Sequence, residues 1–75
     1  MYKVRVLIPN RDKIVGGMVR GLVTEIAGFQ TAKGLNHRVL LLNGYFEFEV
    51  SSLRKADEVK EAVKKYLAGF ASVEG

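Results

Sequence analysis

The spacing of hydrophobic and polar residues changes along the chain, and each spacing predicts a different element. Over residues 2–8 apolar and polar side chains alternate, which indicates a strand that buries one face. Its apolar side consists of Val4, Val6 and Ile8, and its basic side of Lys3 and Arg5. The Pro9-Asn10 pair that follows is typical of a turn and ends this strand.

Apolar pairs alternate with polar or glycine pairs over residues 12–28. A strand cannot bury such a pattern on one face, whereas the large side chains cover about one half of a helix. We therefore predict an amphipathic helix over residues 12–28, capped by Asn10 or Asp12 and ended by Gly28 or by the loop around Gly34. Each glycine in its interior costs about 1 kcal/mol relative to alanine, so tertiary packing must stabilise this helix.

Two apolar runs joined by Asn43-Gly44 occupy residues 37–50. Asn-Gly is the favoured pair for a two-residue type I′ turn, because both positions need positive φ. We therefore predict a β-hairpin over residues 37–50, in which Arg38 faces Glu49 across the two strands. This register buries the side chains of Val39, Leu41, Phe46, Phe48 and Val50 on one face.

Apolar residues recur at helical spacing in the last third of the chain. They predict a second helix over residues 57–69, with Asp57 as its cap and Gly69 at its end. Residues 51–56 then form a connector, and residues 71–75 are expected to fray.

Together these elements predict an α+β fold, one small domain spanning residues 1–75 in the order β-α-β-β-α. A three-stranded mixed sheet would carry both helices on one face, in two layers. If the first strand joins the second strand of the hairpin, Lys3 and Arg5 lie beside Glu47 and Glu49. The outer face of the sheet would then carry charges of both signs and would be a poor platform for nucleic acid.

A second interpretation of the same residues is a barrel. Residues 21–26, the predicted hairpin and residues 49–53 resemble the small SH3-like or OB-like barrels of translation and transcription factors. The resemblance covers about half of the chain and requires a strand at residues 21–26. The pairwise spacing over residues 14–26 favours the helix.

The composition narrows the possible functions. The chain has no cysteine, and its single histidine, His37, has no cysteine or carboxylate partner with metal-ligand spacing. Ser51 and Ser52 lack a base, and Glu47 and Glu49 lack a pocket, so we expect no enzymatic activity, no metal and no cofactor. No segment is typical of a signal peptide or approaches the roughly 20 apolar residues that span a bilayer, so we expect a cytoplasmic protein without a membrane partner.

The net charge of +4 is unevenly distributed. Residues 1–40 contain seven basic and two acidic residues, a net +5, and residues 41–75 contain five basic and six acidic residues, a net −1. The backbone N–H groups of Gly16-Gly17, near the start of a helix and close to these cations, could bind a phosphate, although a full phosphate-loop motif is absent. The leading hypothesis is a non-enzymatic module that contacts DNA or RNA phosphates with little sequence specificity through Arg11, Lys13, Arg20 and Lys33.

Three glycines, Gly17, Gly21 and Gly28, fall on a narrow strip of the first helix. Bare backbone allows another element to approach closely, and we expect the second helix to pack there. The alternative is a contact with a partner protein or a homodimer contact. The second hypothesis for function is therefore a small protein-binding regulator or inhibitor, as found in phages and plasmids, which acts through a helix face or a strand edge.

Overall fold

The first strand, β1, forms the centre of a three-stranded sheet in the computed structural model, which describes residues 1–74. The elements in chain order are β1 (Tyr2–Leu7), α1 (Lys13–Ala27), α2 (Phe29–Ala32), α3 (His37–Asn43), β2 (Tyr45–Val50), α4 (Leu53–Leu67) and β3 (Ser72–Glu74). The predicted α+β class is confirmed, but four helices accompany the sheet where two were predicted.

The strands run in the order β2-β1-β3, and both pairings are antiparallel, so the predicted mixed sheet is wrong. Lys3 pairs with Glu49 and Arg5 with Glu47, which confirms the predicted neighbourhood of these charges on the outer face. The inner face of the sheet is apolar, and the core fills the space between it and the helices. Its largest fully buried side chains are Phe46, Ile8, Leu40, Val6, Val19, Val23, Val50, Val59 and Val63.

The predicted hairpin at residues 37–50 is wrong, because its first half is helix α3. The Asn36 side chain caps α3 by accepting a hydrogen bond from the Val39 N–H, at 3.0 Å. Gly44 has a φ of 79° and ends the helix, donating its N–H to the Leu40 carbonyl at 2.8 Å. The positive φ inferred for Gly44 is therefore present, but it belongs to a helix C-terminus.

Because residues 37–43 form a helix and not the predicted strand, the buried side chains differ from those predicted. Leu40, predicted on the outer side of the hairpin, is fully buried, and Leu41, predicted in the core, is half exposed. Arg38 lies on α3 and does not pair with Glu49, whose partner in the sheet is Lys3.

Helix α1 matches its prediction closely. Asp12 caps it by accepting hydrogen bonds from the N–H groups of Ile14 and Val15, at 2.7 and 3.1 Å. Gly28 follows its last residue, as predicted. A helix over residues 13–27 excludes the barrel interpretation, which needed a strand at residues 21–26.

The last helix and the tail differ from prediction. Helix α4 begins at Leu53 because Ser52 caps it, its hydroxyl accepting from the Lys55 N–H at 3.2 Å, so Asp57 is not the cap. The helix ends at Leu67, two residues before Gly69. The predicted fraying is wrong for residues 72–74, which form β3 beside β1, and Gly75, the last residue of that predicted tail, lies outside the described residues.

Candidate functional site

A cleft opens between α1 and the start of α3, and we call it the α1–α3 cleft. It has a volume of about 180 Å³. Its polar lining consists of Lys13, Arg20, Asn36 and His37, and Gly16 and Gly17 contribute backbone on the α1 side. No Asp or Glu lines the cleft within residues 1–74. The cleft is therefore a concave site with two cations from α1, polar groups from the start of α3, and apolar side chains from Leu35, Leu40 and Phe46.

Helical spacing places the two cations together. Lys13 and Arg20 are seven residues apart, which is close to two turns, so both project from one side of α1. On the opposite wall, Asn36 is held by its capping bond to Val39, and His37 is the first residue of α3. Both cations were predicted from the sequence, but Asn36 and His37 were missed as site residues, because His37 was assigned to a strand.

Gly16 controls how closely α3 approaches α1. A Cβ atom at this position would lie 2.9 Å from Cδ2 of Leu40, which is too close for two carbon atoms. Because Gly16 has no side chain, Leu40 can pack directly against the α1 backbone. This contact holds α3 close to α1, and these two helices form the walls of the cleft. The glycine that permits close packing is thus Gly16, which the predicted strip did not include.

The four predicted basic residues do not all converge on the cleft. Arg11 is exposed, and its Nη1 donates to the Leu41 carbonyl at 3.0 Å, near the C-terminal end of α3. A cation at this end complements the helix dipole, so Arg11 has a structural role in holding α3. Lys33 is exposed at the end of α2 and does not line the cleft. The structure therefore brings together Lys13 and Arg20 and leaves Arg11 and Lys33 at other positions.

Lys3 and Arg5, two further amino-terminal cations, lie beside carboxylates on the outer face of the sheet. Arg5 donates to one carboxylate oxygen of Glu47 through Nε and Nη2, at 3.0 and 2.8 Å, and its Nη1 lies 3.6 Å from Glu74. The hydrogen bond to Glu47 raises the pKa of Arg5. Lys3 lies 4.0 Å from the same carboxylate. In contrast, neither Lys13 nor Arg20 forms an ion pair within the described part of the chain.

His37 has an unusual polar atom. Its Nδ1 is buried and has no hydrogen-bond partner, the one side-chain nitrogen or oxygen within residues 1–74 in that state. A buried polar atom without a partner typically costs about 1–3 kcal/mol. The imidazole that lines the cleft therefore contains an unsatisfied polar group.

A second surface lies on the other side of α1, where α4 packs beside it, and we call it the α1–α4 face. It contains an open groove of about 460 Å³, lined largely by Met18, Gly21, Leu22, Tyr66 and Leu67, with Glu25 at the rim. The groove continues along the same helices to Val15 and Phe70.

The predicted strip of glycines is open. Apart from the local backbone around each glycine, no atom of residues 1–74 lies within 4 Å of a Cβ placed at Gly17, Gly21 or Gly28, so the prediction that the second helix packs against this strip is wrong. Helices α1 and α4 do contact each other, and the buried residues that they contribute to the core include Val19 and Val63.

Comparison of the chain with protein-family models, curated proteins and solved structures found no significant match. Across residues 1–74, no helix combines the length and the apolar character needed to cross a membrane. The same residues contain no group of three or more His, Cys, Asp or Glu side chains that would hold a metal ion.

Proposed function

We propose that this protein is a non-enzymatic cytoplasmic module that binds the phosphate groups of DNA or RNA, with the α1–α3 cleft as its main contact. The observation that carries this proposal is that Lys13 and Arg20 lie together at one cleft and, within residues 1–74, have no ion-pair partner and no carboxylate beside them in the lining. Cations free to neutralise phosphates release condensed counterions, which drives association with nucleic acid.

The size of the cleft favours a phosphate group over a whole nucleotide. Pockets for drug-sized ligands have volumes of about 300–1,000 Å³, and the α1–α3 cleft has about 180 Å³. A base would therefore remain outside it. Contacts that reach phosphates and not base edges position a protein on nucleic acid without reading sequence.

Three exposed cations outside the cleft would extend the contact along a strand. Lys33 precedes the α3 side of the cleft, Arg38 follows His37, and Arg11 lies at the opposite end of α3. With two to five phosphates neutralised, the logarithm of the binding constant should fall with the logarithm of salt concentration with a slope of about −2 to −4.5.

The decisive comparison replaces one arginine in the cleft and one outside it. Arg20→Ala should weaken binding to unrelated DNA and RNA sequences by similar factors and make the salt slope shallower by about one unit. Arg54→Ala removes the same charge from an exposed position on α4, where the arginine pairs with Glu58, so it should leave affinity nearly unchanged. Fluorescence anisotropy with short labelled single- and double-stranded oligonucleotides measures both effects.

Two results would contradict the proposal. One is an absence of binding to every oligonucleotide at low salt. The other is an equal loss for Arg20→Ala and Arg54→Ala, which would indicate attraction to the overall charge and no local contact.

The α1–α4 face favours a second function, binding of a protein partner. Its exposed apolar groove is unsuited to phosphates and is the kind of surface that receives a helix. A protein-binding regulator or inhibitor would use this face, and its affinity would depend less on salt than phosphate binding does.

A further inference from the structure

Four large apolar side chains are exposed side by side on the α1–α4 face. The exposed fractions are 74% for Ile14, 52% for Met18, 62% for Tyr66 and 61% for Phe70. Met18, Tyr66 and Phe70 line one continuous groove, and Ile14 lies one turn before Met18 on α1. Single exposed apolar residues are normal on a protein surface, but a contiguous group marks an interaction site.

The α1 backbone is bare beside these side chains. Gly17 and Gly21 are exposed, and no atom lies within 4 Å of a Cβ built at either position. In a helix interior each glycine costs about 1 kcal/mol relative to alanine. The surface therefore combines a recess at the glycines with a protruding side chain at Met18.

We propose that the α1–α4 face binds a second copy of this chain, with the two α1 helices antiparallel about a two-fold axis. Met18 and Gly21 lie three residues apart on the same side of α1. An axis that passes between them places Met18 of each copy over Gly21 of the other. Each Met18 side chain then fills the recess at Gly21 of the other copy. Because the two-fold rotation produces both contacts, the face is complementary to itself.

The exposed area is sufficient for a weak dimer. A fully buried aromatic side chain removes about 150–250 Å² from water, so Tyr66 and Phe70, each about 60% exposed, offer on the order of 100 Å² apiece. With similar areas from Ile14 and Met18, the apolar contact is on the order of 400 Å² per copy, or about 800 Å² in total. This area lies below the roughly 1,200 Å² at which stable specific interfaces begin, so we expect a weak dimer, with a dissociation constant in the micromolar to millimolar range.

The two-fold axis also determines where the α1–α3 clefts lie. It is perpendicular to the plane of the paired helices, so it keeps the cleft side of α1 on the same side of the dimer in both copies. Dimerisation buries the apolar face and leaves Lys13 and Arg20 of both copies exposed on one surface. The dimer is therefore compatible with the phosphate contacts proposed above, although it does not depend on them.

Sedimentation equilibrium of the purified chain over a micromolar to millimolar concentration range tests the proposal. The apparent mass should rise from one chain toward two, and Met18→Lys should keep the protein monomeric. Leu42→Lys makes the same type of change at an exposed leucine on α3 and should dimerise as the unmodified chain does. A chain that stays monomeric throughout, or two lysine variants that behave alike, would overturn the proposal.

Salt separates this association from nucleic-acid binding. Each copy carries a net charge of +4, so screening should strengthen the dimer, whereas it weakens binding to phosphates. A dimer that dissociates as salt is raised would also contradict an apolar interface.

Cross-linking tests the position of the axis. The chain has no cysteine, so Met18→Cys introduces its one thiol. A short bifunctional maleimide should join two copies of this variant efficiently, and the matched Leu42→Cys variant inefficiently. Equal cross-linking of the two variants would exclude the antiparallel α1 pair.

Discussion

Two adjacent glycines in α1 have opposite environments. A Cβ at Gly16 would lie 2.9 Å from Leu40 and 3.7 Å from the Phe46 ring, whereas a Cβ at Gly17 would meet no atom within 4 Å. Glycine is disfavoured in a helix interior at both positions. Packing requires the first glycine, and no contact within residues 1–74 requires the second.

We predict that the same substitution at these two positions changes stability in opposite directions. Gly16→Leu should lower the free energy of unfolding by about 1–3 kcal/mol, because the new side chain must displace Leu40 from a packed core. Gly17→Leu should raise it by up to about 1 kcal/mol, since leucine favours the helix and extends into open space. Urea denaturation at low protein concentration, where the chain is monomeric, measures both; equal effects would show that Leu40 moves aside freely.

Residue contacts could be predicted from the sequence where they follow from the alternation of apolar and polar side chains along a strand. They could not be predicted where they depend on how two helices pack. Arg5 lies beside Glu47 as expected, because strand register follows from which side chains are apolar. The contact of Gly16 with Leu40 joins two helices, and one of them was predicted as a strand. Gly16 and Gly17 are adjacent in the sequence, and the letters alone do not show which of the two glycines packs against another helix.

At the scale of elements, Asn43-Gly44 shows why a turn signal can be ambiguous. Asn-Gly favours a type I′ hairpin because glycine accepts positive φ, and a helix C-terminus uses glycine for the same reason. The four consecutive apolar residues 39–42 fit a strand and a buried helix equally. Asn36 decides between them, because its side chain caps the first turn of α3.

We predict that Gly44→Val destabilises the protein by about 2 kcal/mol or more. A left-handed backbone costs an ordinary residue about 1–2 kcal/mol, and branching at Cβ adds to this. The new Cβ would also lie 3.2 Å from Nε of Arg11, which holds the end of α3. Thermal denaturation should show a much smaller change for Leu42→Thr, an exposed substitution in the preceding turn. Similar melting temperatures for the two variants would mean that the left-handed backbone of Gly44 does not contribute to the stability of α3.

The other elements were predictable to the extent that their signals are local. Helix α1 has its cap, its apolar period and its terminal Gly28 in one continuous segment, and its predicted bounds differ from the observed ones by one residue at each end. Helix α4 was predicted to start four residues late, because Ser52 was assigned to a connector. Strand β3 has three residues and no alternation long enough to detect, so only its pairing with β1 reveals it.

At the scale of the whole molecule, β3 completes the sheet. Val73 pairs with Val6 in the centre of the sheet and packs partly buried against the core. The Ile8 N–H bonds to Gly44, on the β2 side, so the odd-numbered amides of β1 point toward β3. The last described residues therefore contribute to the core and to the backbone pairing of β1.

We predict that Val73→Asp lowers the free energy of unfolding by about 1–2 kcal/mol, because it places a charge where a partly buried valine packs. Hydrogen exchange should accelerate at the amides of Arg5 and Leu7, which face β3. Ser72→Asp adds the same charge at an exposed neighbouring position and should change neither quantity appreciably. If the two variants were indistinguishable, β3 would contribute nothing to stability.

The position of β1 in the sheet has a consequence for how the protein is made. This strand precedes both of its neighbours in the chain, residues 45–50 and 72–74, so it is synthesised before either of them. Until those segments leave the ribosome, the backbone N–H and C=O groups of β1 lack their partner strands. We expect the sheet to close only after residues 72–74 have been synthesised, and until then β1 is the segment to which a chaperone, or the same strand of a neighbouring nascent chain, would bind.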